Sequence, residues 1–219
     1  MRWAGMIFPM MAALAESPVE AHPHVFLDTI LVLTFDSEQQ LAQVRVAWLY
    51  DAFFSMSLFA DMGLDPDLDG KLTDTELDSL QGFNLNWPKD FPGHLYIEVA
   101  GVDQPMSGPY DGSIRVQDGR VMSFLSRDLL QPVKIGPAGL TIQNYDPSYY
   151  NEFTIRADPT LKNAAPGCAG HVLEPDLGVA DRALQAELMK VPVGGSIEGD
   201  YPQVGRLYAQ IVEVTCPEK

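Results

Sequence analysis

Counted from Asp65, the segment Asp65-Pro66-Asp67-Leu68-Asp69-Gly70-Lys71-Leu72-Thr73-Asp74-Thr75-Glu76 places carboxylates at positions 1, 3, 5 and 12, with glycine at position 6 and an apolar residue at 8. This is the spacing of an EF-hand calcium loop. Three aspartates on a tightly turning chain aim oxygens at one point. Gly70 takes a turn that a Cβ would obstruct, and the carbonyl of Lys71 adds another oxygen. Thr73 contributes through its hydroxyl or a water, and Glu76 closes the shell with both carboxylate oxygens. Such a set of hard oxygens suits Ca2+ better than Mg2+, which resists dehydration. The competing expectation is an acidic turn that folds without an ion.

The sequence carries one such loop. Regulatory EF-hands work in pairs bridged through position 8, so Leu72 is expected to pack on the domain body or on another subunit. A lone site on an exported protein meets abundant calcium and needs only about 10⁻⁴ to 10⁻³ M affinity. A structural clip is the expectation, rather than a sensor.

A second cluster of ligating types is His22-Pro23-His24, which holds two of the four histidines of the chain. Imidazole suits divalent transition metals, here Ni2+, Co2+, Zn2+ or Cu2+. Pro23 has no amide hydrogen and cannot supply a deprotonated backbone nitrogen. A site must therefore draw on His22, His24 and a body residue: Asp28 first, with Asp51, His94 and His171 as alternatives. The simpler expectation is a solvated histidine pair. An oxidative copper site braced by an amino-terminal His22 would need His94 or His171 close by.

Met1-Arg2, the apolar run Trp3–Ala15 and a polar stretch with Pro18 ending at Ala21 form the secretory pattern. The run is shorter than the roughly 20 apolar residues that span a bilayer, and no later segment is long and apolar enough. Cleavage after Ala15 or after Ala21 fits. The second is preferred, making residues 1–21 a signal peptide and His22 the new terminus. Cys168 and Cys216, the only cysteines, would join in an oxidising compartment. A net charge of −16 over 219 residues repels a phosphate backbone and excludes nucleic acid as a partner.

The elements that must position these groups are mostly strands. Residues 24–36 and 41–50 read as an antiparallel hairpin. The period changes over residues 52–62, where an apolar helix with several buried sides is expected, and a second helix follows near residues 73–81. Strands are expected at 95–100 and around Val102. Residues 114–116 and 121–125 flank the hairpin turn Asp118-Gly119, and 140–144 and 152–155 are further strands. A long Pro- and Gly-rich connection spans 158–179, a helix 180–190 and a final strand 205–216. The compact aromatic turn Tyr145-Asp146-Pro147-Ser148-Tyr149-Tyr150 is expected to fill a corner. These readings give an α+β fold: residues 22–219 form a single, mainly antiparallel, sandwich-like β domain carrying a helix-loop-helix insert at 52–84.

No nucleophile elbow, phosphate-cradling glycine loop or His-Glu-x-x-His is present, so no catalytic residue is assigned and no enzyme activity is expected. Taken together, Ala21-His22-Pro23-His24-Val25-Phe26-Leu27-Asp28, the Trp48–Asp51 segment, the acidic loop, Tyr145-Asp146-Pro147 with Tyr149-Tyr150, and Gly205-Arg206-Leu207-Tyr208-Ala209 up to Cys216 resemble the domain-of-unknown-function family 1007. That resemblance implies an exported, periplasmic component of an uncharacterised transport system, with an inner-membrane transporter of the nickel/cobalt type as partner.

Overall fold

In a computed structural model, described for residues 23–88, 91–136, 138–188 and 203–217, β1 (Val25–Phe35) and β2 (Gln40–Tyr50) pair antiparallel, as the hairpin reading required. Residues of β1 alternate strictly, with Val25, Leu27, Thr29, Leu31, Leu33 and Phe35 buried. This is the period of a strand with one face in the core. In β2 the alternation is reset: Leu41 is buried, and then Val44, Val46, Trp48 and Tyr50. A register shift between Leu41 and Gln43 explains the change, because one inserted residue moves all later side chains to the opposite parity.

The insert follows, with α1 (Ala52–Met62) and α2 (Asp74–Leu80). After it come β3 (Leu95–Val99), β4 (Val102–Asp103), β5 (Tyr110–Gln117), β6 (Arg120–Lys134), β7 (Leu140–Asn144), β8 (Asn151–Ile155), β9 (Thr160–Lys162), β10 (Ala169–Leu173), α3 (Leu177–Leu188), α4 (Gly205–Tyr208) and β11 (Ile211–Thr215). One sheet has the order β5-β6-β2-β1-β8, with β9 also on β1. The second has the order β10-β11-β7-β3-β4. Inward residues of both, among them Leu31, Leu33, Leu125, Ile97, Ile142 and Val212, form one hydrophobic cluster. The fold class is therefore the β-rich α+β arrangement expected.

Three local expectations are corrected. Residues 158–179 are not an uninterrupted connection: β9 and β10 lie within them, each short and added to an existing edge. The final segment is a helical turn, α4, before β11 rather than one strand. The first sheet, mainly antiparallel as expected, also carries β8 and β9 parallel to β1. Helix α1 buries only Ser55 and Phe59 and leaves Phe53 and Met56 exposed, so it lies on the surface of the sandwich rather than within it.

The disulfide between Cys168 and Cys216 is formed, closing a separation of 48 residues and tying β11 to the turn before β10. Among the described residues no helix is long and apolar enough to cross a membrane. The proposed leader, residues 1–21, and His22 lie outside the described residues.

Candidate metal centre

Two capped helices hold the acidic loop at its ends. Asp51 caps α1 by accepting from the Phe54 amide (2.8 Å), and Gly63 ends the helix in the left-handed region. Thr73 caps α2 in a reciprocal capping box with Glu76. Between them the chain folds around the Asp65 carboxylate, which is buried and accepts from the amides of Asp69 (3.0 Å) and Gly70 (3.1 Å). Gly70 is left-handed (φ 74°), the position at which the sequence required a glycine.

Carboxylate oxygens of Asp65, Asp67 and Asp69 come within 4.8 Å of one another. Glu76 returns to the start of the loop, its Oε1 accepting from the Asp65 amide (3.2 Å) and its Oε2 from the Thr73 amide and hydroxyl (both 2.8 Å). The bonds from Thr73 hold the Glu76 carboxyl below its ordinary pKa. The Lys71 amide and ammonium do the same for Asp69. The Lys71 side chain is exposed and reaches Asp69 Oδ2 at 3.3 Å. Of the six residues expected to form the calcium shell, Asp65, Asp67 and Asp69 bring carboxylate oxygens together, Glu76 bonds to the Asp65 amide and to Thr73, and Lys71 reaches Asp69 through its ammonium.

Leu72 packs on the body as expected, but which part of the body seats the loop was not legible in the sequence. Gly70 packs against Gly119 of the β5–β6 turn, a Cβ on Gly70 lying in ordinary contact at 3.5 Å from the Gly119 Cα. Leu72, at position 8, packs on the core of its own domain. It also lines, with Leu77 and Val116, a groove of about 400 Å³ between loop and hairpin. Polar anchors fix both helices. Ser55 Oγ accepts from the Val121 amide (2.9 Å), and the Gln81 side chain exchanges bonds with the Ile114 amide (2.9 Å) and carbonyl (3.2 Å). Gln81 thereby pairs the edge of β5 at Ile114.

His22 lies outside the described residues, and among the described ones the body residues expected to complete a site with His24 make other contacts. His24 is exposed at the start of β1, its ring 4.8 Å from that of Tyr150. Asp28 does not join it. Four residues along an extended strand separate the two by about 13 Å, and Asp28 is held by Arg156 (2.5 Å) and Arg120 (3.4 Å). Asp51 is committed to capping α1 and to the Phe26 amide (2.9 Å). His171 pairs with Asp158 (3.2 Å) on β10, and His94 sits between Phe91 and Phe153.

The Tyr-Asp-Pro turn does fill a corner. Asp146 accepts from the Ser148 amide (2.9 Å) and hydroxyl (2.8 Å) and from Asn151 Nδ2 (2.6 Å). Tyr145 stacks on Tyr96 and Tyr149 on Tyr208. Gly205 approaches this turn closely enough that its amide bonds to the Pro147 carbonyl (3.0 Å).

An uncharacterised protein of Haemophilus influenzae is 24% identical over 200 residues, covering 90% of this chain and 92% of that protein. No solved structure matches the chain. Residues 7–216 match the family described as "Protein of unknown function (DUF1007)", a span covering both sheets, the acidic loop and the Tyr-Asp-Pro corner, and the chain belongs to that family.

Proposed function

We propose that the protein is an exported, periplasmic accessory protein of metal transport whose EF-hand-type loop binds Ca2+ as a structural clip. The observation that carries the calcium reading is the convergence of Asp65, Asp67 and Asp69, with Glu76 folded back onto Asp65. Carboxylates so close repel one another unless a cation stands among them, and a hard dication is the chemistry that fits an all-oxygen set. The clip role follows from the anchoring of loop and helices to the β5–β6 hairpin. An ion that fixes the loop fixes the insert against the first sheet.

Calorimetric titration with Ca2+ and thermal unfolding of the mature protein test this. Ca2+ at a hundredfold excess over its dissociation constant stabilises the fold by about 2.7 kcal/mol through mass action. Glu76→Gln and Asp67→Asn should remove both the heat and the stabilisation. Absence of both in the unmodified protein refutes the calcium reading.

The same proposal assigns His22 and His24 to capture of Ni2+, Co2+, Zn2+ or Cu2+ for delivery to an inner-membrane transporter. It is supported by the two ligating side chains and by the family resemblance. Capture should weaken on acidification, because imidazole must be unprotonated to ligate. A His22→Ala/His24→Ala double variant that binds these ions as tightly as the unmodified protein ends that part of the reading. If only Ca2+ has an effect, the protein is a calcium-stiffened interaction domain.

A further inference from the structure

A second site lies at the end of the sandwich near the insert. Five rings close a cycle there. Trp48 faces Trp87 (6.5 Å between centroids), Trp87 meets Phe91 edge-on (5.4 Å), and Phe91 meets His94 (4.9 Å). His94 in turn meets Phe153 (5.4 Å), and Phe153 returns to Trp48 (5.8 Å). With Tyr50 and Phe83 these rings wall a cavity of about 240 Å³. Tight packing would normally close such a space.

Among the described residues two buried polar atoms there have no hydrogen-bond partner: Asn84 Oδ1 and His94 Nδ1. Asn84 is only 5% exposed and lines the cavity, as does His94. Asn84 Nδ2 donates to the Phe124 carbonyl (3.4 Å), which fixes the amide so that the unpaired atom is an acceptor. The nearby Trp48 indole N–H cannot serve either atom, being bonded to Asn144 Oδ1 (3.0 Å). Burial holds the His94 imidazole below its ordinary pKa, against the raising influence of Asp146 and the Tyr145 backbone, and the neutral ring accepts at Nδ1 in the tautomer that carries its proton on Nε2. Among the described residues no Asp, Glu, Lys or Arg lines the cavity, and the nearest cation to its rings is the Arg127 guanidinium, 5.2 Å from the Trp87 ring centroid.

A ligand that fits this wall carries N–H donors and positive charge. Aromatic faces attract cations and disfavour anions, unpaired acceptors demand donors, and the acidic chain draws cations from solution. We propose that the cavity binds a small organic amine in its ammonium form, N–H groups donating to Asn84 Oδ1 and His94 Nδ1 and hydrocarbon lying against the rings. The site is separate from the acidic loop and does not depend on the calcium reading.

The test is titration of the mature protein, monitored by the fluorescence of Trp48 and Trp87. Three probes of one body are used: phenethylammonium, phenethyl alcohol and phenethyltrimethylammonium. Phenethylammonium should give a saturable change and bind at least about tenfold tighter than either of the others, since one lacks charge and the other lacks N–H donors. Asn84→Leu should weaken phenethylammonium at least about tenfold while leaving the alcohol within about threefold. If that variant does not fold, the three-probe comparison on the unmodified protein decides alone. No saturable response to phenethylammonium, or equal affinity for the alcohol or the trimethyl probe, overturns the proposal and leaves a cavity that holds water.

Discussion

Asn144 joins the two sheets where they flank the aromatic cavity, and its removal is the most informative single perturbation of the fold. It is buried at 2% exposure on β7. Its Oδ1 accepts from Thr29 Oγ1 of β1 (2.9 Å) and from Trp48 Nε1 of β2 (3.0 Å), while Nδ2 donates to the His94 carbonyl (2.7 Å). Asn144→Ala strands two buried donors, the Thr29 hydroxyl and the Trp48 indole, each costing about 1–3 kcal/mol. The His94 carbonyl keeps the Tyr145 amide as a second partner (2.8 Å), so its loss adds little. The expected destabilisation is about 2–6 kcal/mol, a large share of the roughly 5–15 kcal/mol that holds a typical domain together. Equilibrium urea unfolding measures it as a lower midpoint at unchanged slope. Adding Thr29→Val to Asn144→Ala removes one stranded donor and should recover about 1 kcal/mol or more. A loss below about 1 kcal/mol for Asn144→Ala, or no recovery in the double variant, would refute the view that this amide bridges the sheets.

Three further outcomes are expected. Replacing Cys168 and Cys216 by alanine opens a loop of 48 residues' separation and should cost up to about 4 kcal/mol by the chain-entropy estimate, read as the difference in urea midpoint from the oxidised protein. Gly205→Ala sets a Cβ 1.7 Å from the Asp146 carbonyl oxygen. It should cost about 3 kcal/mol and perturb the near-ultraviolet signal of the stacked Tyr149 and Tyr208, whereas Gly108→Ala, with open space around it, should be neutral. On acidification two steps are expected in the melting temperature. Below pH 6.5 the unfolded chain takes up a proton that His94, lowered by burial, declines in the folded state, so stability falls with pH; His94→Asn should remove this step. Burial raises the pKa of Asp146, but bonds from Ser148, the nearby His94 and a bond from Asn151 outweigh it and leave the carboxyl below 3.8. The stability it gives is present above that value and is lost as pH falls through the lower, folded one.

Local chemistry carried much of this protein in plain view. The hairpin of β1 and β2 follows from alternation, α1 and α2 from the change of period, and the β5–β6 turn from Asp118-Gly119. The acidic loop was legible because its ligating residues lie within one short stretch of chain, whose backbone alone brings Asp65, Asp67 and Asp69 together. The Cys168–Cys216 bond followed from there being no other partner.

Tertiary structure decided what depends on residues distant in sequence. Alternation cannot reveal that β8 and β9 lie parallel on β1, nor that Asp28 is taken by Arg120 and Arg156 rather than by His24. The exposure of α1 depends on which sheet face remained to receive it. The aromatic cavity draws on β2, β8 and the segment after α2, and its only trace in the sequence is the spacing of Phe83, Trp87 and Phe91. A loop that ligates through its own backbone is written in neighbouring residues. A cavity exists only where separate segments fail to fill the space between them, and that is settled when the sheets pack.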